Sequence, residues 1–306
     1  MIHKLEFKAM GCHMFAALDL PEDQHVELEQ VPGWFETWEQ SLSRFREMSE
    51  LNQLNCSAGN PFPVSETLWD VLQEALTAER LSFGLVTPAV LDALVTAGYN
   101  RSFKELTSAS SYITPDHFAP VGLLSDVLLE ETNRTVCLPP DLHLDFGGVA
   151  KGWAADQATR KLSAFGPALV NAGGDIAISA PQSNGDPWPI GITDPFDSKS
   201  NLELLMIECG GVATSGRDYR RWQRDGVWKH HIIDPRTGMP ALTDVLTATV
   251  IAPSAVEAEV AAKVALISGS RSGLDWLESN PSLAGMLVLE DGQRLYSQRM
   301  SEYLWS

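Results

Sequence analysis

The run Ala168-Leu169-Val170-Asn171-Ala172-Gly173-Gly174-Asp175-Ile176-Ala177-Ile178 reads as strand, glycine turn, strand. Aliphatic residues flank a Gly-Gly pair, and so short a turn sends the chain back antiparallel to itself. The pattern recurs near the carboxyl end, where Met286 to Leu289 and Arg294 to Ser297 flank Glu290-Asp291-Gly292 as a hairpin. Further strands are expected from about Ile2 to Ala9, from His13 to Asp19, and within Leu204 to Val212 and Leu246 to Ala252. Helical spacing places Phe35, Trp38 and Leu42 on a helix starting near Pro32, and Leu68, Val71, Leu72, Ala75 and Leu76 on one over Thr67 to Leu81. Two more helices are expected from Val149 to Ala164 and from Ala255 to Leu266. Strands and helices alternate irregularly, which argues against a doubly wound parallel sheet. The expected class is α+β, with mainly antiparallel or mixed sheets and packed helices.

The chain has 306 residues, 44% of them hydrophobic and 20% charged, enough for one large core or two intimate lobes over residues 1–306. Lys104 to Ser110 and Pro181 to Pro189 read as inserted loops, and neither reads as a linker between independent domains. A net charge of −18 argues against nucleic acid as a partner, and leaves room for a locally basic pocket that takes an anionic cofactor. Cys12, Cys56, Cys137 and Cys209 have no metal-ligand spacing and read as isolated reduced thiols. Ala9-Met10-Gly11-Cys12 superficially resembles a lipoprotein cleavage box, but the residues before it supply no apolar segment. No stretch is long and apolar enough to span a membrane, and the expected location is the cytoplasm.

Chemistry concentrates in Trp228-Lys229-His230-His231-Ile232-Ile233-Asp234-Pro235-Arg236-Thr237-Gly238-Met239-Pro240. Asp234-Pro235 and Thr237-Gly238 are turn signals, so the strand-like run His231-Ile232-Ile233 ends there. A histidine at the mouth of a strand suits proton transfer near neutral pH. A solvated surface loop is the competing reading. Asp234 either orients an imidazole or only closes its turn. Leu144-Asp145-Phe146-Gly147-Gly148-Val149-Ala150-Lys151-Gly152 sets glycines and a lysine at a helix start, where bare backbone and free N–H groups favour a phosphate. A tight turn with Lys151 in solvent explains the same residues. Asp175 is a candidate for a cofactor hydrogen bond or for bracing its glycine turn, and Arg217 and Asp218 are candidates for the site's rim. Trp188, Trp222 and Trp228 belong either to an aromatic rim or to packing.

These segments, taken with Val212-Ala213-Thr214-Ser215-Gly216, Leu42-Ser43-Arg44-Phe45, Ser49 to Asn55 and Ala258-Glu259-Val260-Ala261-Ala262-Lys263, resemble the ApbE family of FAD-dependent protein flavin transferases. The resemblance covers nearly the whole chain and implies an ApbE-like, T-fold-related architecture. It implies a reaction in which the FMN half of FAD moves to a Thr or Ser hydroxyl of a target protein and AMP is released. His231 matches the general base. Met10, Phe45, Leu85, Val86, Thr87, Asp145, Lys151 and Ile232 match positions that face FAD, with Thr87 standing where relatives carry an aspartate. Gly148 and Glu259 match positions at the magnesium ion that offsets the pyrophosphate charge.

The resemblance breaks at the metal. Relatives carry Asp and Thr where this chain has Glu259 and Lys263. Glutamate still offers an oxygen, whereas an ammonium only donates. Three readings stay open: Lys263 replaces the ion; the metal site is lost and the protein binds a flavin or nucleotide without transferring it; or the two residues form a surface i,i+4 pair. A hydrolytic variant, FAD pyrophosphatase, would use water in place of the protein hydroxyl.

Overall fold

The computed structural model describes residues 1–21, 28–106, 121–122, 124–224 and 226–305. Among them are α1 (Val31–Leu42), α2 (Glu50–Asn55), α3 (Glu66–Leu81), α4 (Leu91–Thr96), α5 (Ala150–Ser163), α6 (Ala255–Ser268) and α7 (Ser270–Glu278). By internal packing the chain divides into two compact units. One comprises Met1–Phe35, Lys151–Asp218 and Thr243–Ser306; the other comprises Glu36–Ala150 and Tyr219–Leu242.

The first unit is built on an eight-stranded sheet whose strands lie in chain order: Ile2–Ala9, Cys12–Asp19, Ala168–Ala172, Asp175–Ile178, Gly210–Gly216, Val245–Ala252, Ala284–Leu289 and Arg294–Tyr296. Every neighbouring pair is antiparallel. The deciding hairpin pairs Ala172 with Asp175 across Gly173-Gly174, and the late one pairs Val288 with Arg294. A two-stranded ribbon, Trp188–Thr193 with Asn201–Ile207, buries Trp188, Ile190, Ile192, Leu205 and Ile207 in one apolar cluster with Leu169, Ile176, Val212, Ile251 and Met286 of the sheet. The ribbon's Trp188–Thr193 strand alternates buried and exposed residues, as a one-sided strand must. α6 packs on strands Gly210–Gly216 and Val245–Ala252. It is buried on nearly all sides, so its alanines let backbones approach, and Glu259 is carried inside with them.

The second unit consists of two insertions between neighbouring sheet strands. It holds α2, α3, α4 and a small sheet of Phe62–Pro63, Thr135–Cys137 and Leu128–Glu130. Ser49 and Ser65 cap α2 and α3 by accepting from Asn52 and Leu68 N–H. Ala93, Leu94, Ala97 and Tyr99 cluster with Trp222 and Ile233, which ties the later insertion to the earlier one.

Several expectations shift by local packing. The run Leu204 to Val212 is two strands that part at Glu208-Cys209, one in the ribbon and one in the main sheet. Trp188 and Pro189 belong to a strand; the loop before them closes through Gln182 N–H to the Asp186 carbonyl at 2.9 Å. Residues 104–106 lie at a short 3-10 turn, and the remainder of the expected Lys104 to Ser110 loop lies outside the described residues. Short helices α2, α4 and α7 carry too few turns for a periodicity argument.

Candidate functional site

In the first unit the site begins at two glycine-bearing turns. Met10 and Gly11 connect the paired residues Ala9 and Cys12 with φ of 48° and 70°. Two successive positive φ values make the tight hairpin turn that matches strand twist. The lipoprotein-like box is therefore a hairpin tip, with Met10 held in a conformation that non-glycine residues rarely adopt. A side chain at Gly173 would lie 2.6 Å from Cys12 Cβ, so the Gly-Gly turn abuts this tip. Asn171 Oδ1 accepts from Gly174 N–H at 2.8 Å and braces the Gly-Gly turn. Asp175 is thus released from that task.

Asp175 instead enters a buried charge cluster with Lys151, Glu259 and Lys263. Asp175 is 2% and Glu259 1% exposed. Lys151 Nζ donates to Asp175 Oδ2 and lies 3.3 Å from Glu259 Oε1. Lys263 Nζ donates to the same Glu259 Oε1 at 3.0 Å, while Glu259 Oε2 accepts from Gly152 N–H at 2.9 Å. Lys151 does not point to solvent, and Glu259–Lys263 is no surface pair. Gly152 sits in the first turn of α5, where N–H groups lack helical partners. Glu259 fills that place with the protein's own anion. Gly152 has no side chain because α6 lies against it: an added Cβ would fall 2.7 Å from Val256 Cα. Asp156 returns the contact by accepting from Ala255 and Val256 N–H at 2.9 and 3.0 Å.

Burial, and then the charge of Glu259, push the Asp175 carboxyl above its ordinary range, with Lys151 and Lys263 offsetting only part. Burial acts upward on Glu259 as well, but Lys151, Lys263 and the Gly152 N–H outweigh it and hold Glu259 below the usual carboxylate range. The arrangement does not suit magnesium. Both Glu259 oxygens already accept from N–H donors, and two ammonium groups stand where a dication needs oxygen ligands. No three His, Cys, Asp or Glu residues gather as a metal site among the described residues. Arg217, expected at a rim, is anchored to the Val245 and Thr243 carbonyls and to Glu290.

The second unit holds the remaining expected residues. Asp145 N–H donates to the Pro88 carbonyl at 2.8 Å, which sets Asp145 beside Leu85-Val86-Thr87. Ser82 Oγ accepts from Val86 N–H, and Thr87 Oγ1 accepts from Ala89 N–H, so this run is fixed backbone. Asp145 also accepts from Gly147 N–H at 2.7 Å and pairs with Arg44 Nε at 2.5 Å. Gly148 lies in the turn that follows, where Val149 and Ala150 N–H both donate to the Phe146 carbonyl.

Arg44 had no assigned role from sequence, and it organises this unit's site. Its guanidinium lies 4.1 Å from the Phe45 and 4.5 Å from the Tyr99 ring centroid, and Tyr99 stacks on Trp222 at 5.3 Å. Arg44 Nη1 donates to the Tyr99 carbonyl, while buried Nη2 has no hydrogen-bond partner among the described residues. Arg44 and Tyr99 are 55 residues apart, so no local pattern links them. Trp222 is a packing residue that donates to the Ala97 carbonyl, and Trp188 donates to that of Ala180. Trp228 is 56% exposed under Arg221.

The two histidines have different situations. The strand-like run expected over His231-Ile232-Ile233 is broken: one strand ends at His230 and another starts at Ile233. His230 causes the break by folding back. Its Nδ1 accepts from Ile232 N–H at 3.3 Å, and its Nε2 lies 3.1 Å from the Ala241 carbonyl. This buried ring is held through both nitrogens. His231, half-buried, occupies the break itself. Asp234 closes its turn by accepting from Thr237 and Gly238 N–H through its carbonyl, and its carboxylate is bound by Arg236 N–H, Nε and Nη2. Orienting the imidazole is not its role in this arrangement.

Comparison with known proteins follows the same residues. The ApbE family model matches residues 10–287. The FAD:protein FMN transferase of Treponema pallidum (strain Nichols) is 31% identical over 284 residues, spanning 87% of this chain and 78% of that protein. Its counterpart in Escherichia coli (strain K12) is 28% identical over 263 residues, spanning 83% and 75%. The crystal structure of the ApbE protein from Thermotoga maritima aligns at a TM-score of 0.86 and 26% identity over 100% of both chains. The flavin transferase ApbE from Vibrio cholerae shares the fold at a TM-score of 0.84 and 24% identity over 99% of each chain. With the motifs, the antiparallel α+β fold and these likenesses in agreement, the chain belongs to the ApbE family.

Proposed function

We propose that this chain transfers the FMN half of FAD to a Thr or Ser hydroxyl of an acceptor protein. The hydroxyl oxygen bonds to the riboflavin-side phosphorus, the bond from that phosphorus to the bridging oxygen breaks, and AMP leaves with the electron pair. The hydroxyl proton passes to His231, because a neutral hydroxyl is a poor nucleophile until its proton has an acceptor. Met10, Phe45, Leu85, Val86, Thr87, Asp145, Lys151 and Ile232 are the residues assigned to hold FAD. The observation that carries the reading is the division of labour around the strand break. His230 and Asp234 brace the turn, and His231 stands half-buried in the break between the two strands, at the position the family resemblance gives to the base.

A second reading, flavin binding without transfer, is favoured by the lysine at position 263 on the Glu259 carboxylate. The cytoplasmic location belongs to the first reading and rests on four cysteines that form no disulfide. The described helices include none long and apolar enough to cross a membrane. Mass spectrometry of FAD incubated with the protein and a threonine-bearing acceptor decides among the readings. AMP with flavinylated acceptor supports transfer. AMP with free FMN means hydrolysis, and intact bound FAD means a binding protein.

A further inference from the structure

We propose that Lys263 and Lys151 form a built-in dication substitute, so that this chain engages a dinucleotide pyrophosphate without a divalent metal ion. The proposal rests on the flavin-transfer reading for the identity of the dinucleotide, and on the buried charge cluster for the rest.

Three features of the cluster carry it. First, both lysine ammonium groups converge on one oxygen, Glu259 Oε1, at 3.0 and 3.3 Å. Two positive charges are thereby fixed side by side with the spacing of a single small site. Second, their side chains are only 17% and 15% exposed, on helices α5 and α6 that are locked together. Lysines are rarely held this far from water without a charged partner, and here the partners hold them in place. Third, Glu259 is consumed. Its other oxygen accepts from Gly152 N–H at the start of α5, so it acts as the positioning residue for two ammonium groups and one helix end. A hard dication at this carboxylate would have to displace both lysines against their charge.

The chemistry is that of ammonium donors toward phosphate. Lys151, held by Asp175 and Glu259, adds its charge, and Lys263 Nζ carries three N–H bonds, of which one goes to Glu259. The remainder can donate to non-bridging phosphate oxygens, with charge-assisted strength and no ion to recruit. Asp175 and Glu259 balance the two lysines when no anion is bound, which explains how two cations persist inside the protein.

The test uses the full chain and FAD as the probe, read by flavin fluorescence and calorimetry in EDTA and in millimolar magnesium. FAD affinity is expected to agree within about twofold between the two conditions, and magnesium alone is expected to leave the melting temperature unmoved. Lys263→Thr is expected to weaken FAD binding at least tenfold in EDTA, and Lys263→Arg to restore most of it. The Lys263→Thr, Glu259→Asp double variant is expected to bind FAD in a magnesium-dependent way. FAD binding by the unaltered chain that collapses in EDTA would overturn the proposal and leave the flavin reading intact. Absence of FAD binding in both conditions would overturn both. The wild-type measurements hold whether or not the variants fold, and circular dichroism identifies any that do not.

Discussion

His230 and His231 are adjacent and chemically identical, yet their surroundings give them different work. His230 spends Nδ1 on Ile232 N–H and Nε2 on the Ala241 carbonyl, which makes it a brace for the strand break. His230→Ala leaves both backbone groups without these partners and is expected to cost about 1–3 kcal/mol of stability, read as a lower denaturation midpoint. His231→Ala is expected to slow FMN transfer about 10²–10⁴-fold, the usual worth of a general base. If the two variants exchanged phenotypes, the assignment of the base would be wrong. The dipeptide was legible in the sequence as a proton-transfer candidate. That the His230 ring braces the strand break depends on the carbonyl of Ala241, supplied by the return of the chain after the turn at Asp234.

At the scale of elements, the α5–α6 contact sets the charge cluster. Glycine at 152 allows backbone-to-backbone approach, and the carboxylates of Asp156 and Glu259 each cap the other helix. Gly152→Ala drives a methyl against Val256 and the Ala255 carbonyl, and is expected to cost about 1–3 kcal/mol through overpacking. Gly33→Ala is the contrast. That glycine lies in α1 with no atom of the described residues within 4 Å of where a Cβ would stand, and the change is expected to stabilise by about 0.5–1 kcal/mol. Equal effects at both positions in chemical denaturation would refute the close-approach account. From the sequence, Gly152 reads as a phosphate-access glycine because it neighbours Lys151 at a helix start. Its partner lies about 100 residues away on α6, beyond the reach of any local pattern.

For the whole molecule, carboxylates make stability depend on pH in opposite senses. The Ser270 hydroxyl and N–H hold Asp244 below its ordinary range against a smaller effect of burial, while at Glu259 burial is the largest single effect and the two lysines with the Gly152 N–H together outweigh it. Such groups contribute stability above their ordinary pKa, and that contribution is lost as pH falls through the lowered values. Asp175, raised by burial, has the reverse sign: its charged form weighs against folding increasingly as pH rises through its raised value. The melting temperature of the wild-type chain is therefore expected to fall steeply below about pH 4. The stability difference of Asp175→Asn from wild type is expected to move in the variant's favour between pH 5 and pH 8. A difference that moved the other way would show that Lys151 dominates Asp175. The sequence by itself determined the antiparallel α+β class, both hairpins, the long helices, the family resemblance and the residue types at the site, because turn chemistry and apolar periodicity are local. Tertiary structure alone decided that Glu259 is buried with Lys263 drawn against it, that Lys151 turns to Asp175, that Arg44 is clamped between Phe45 and Tyr99, and that the His230 ring braces the strand break. Burial and long-range hydrogen bonding fix these roles, and both depend on which distant segments the sheet and its insertions bring into contact.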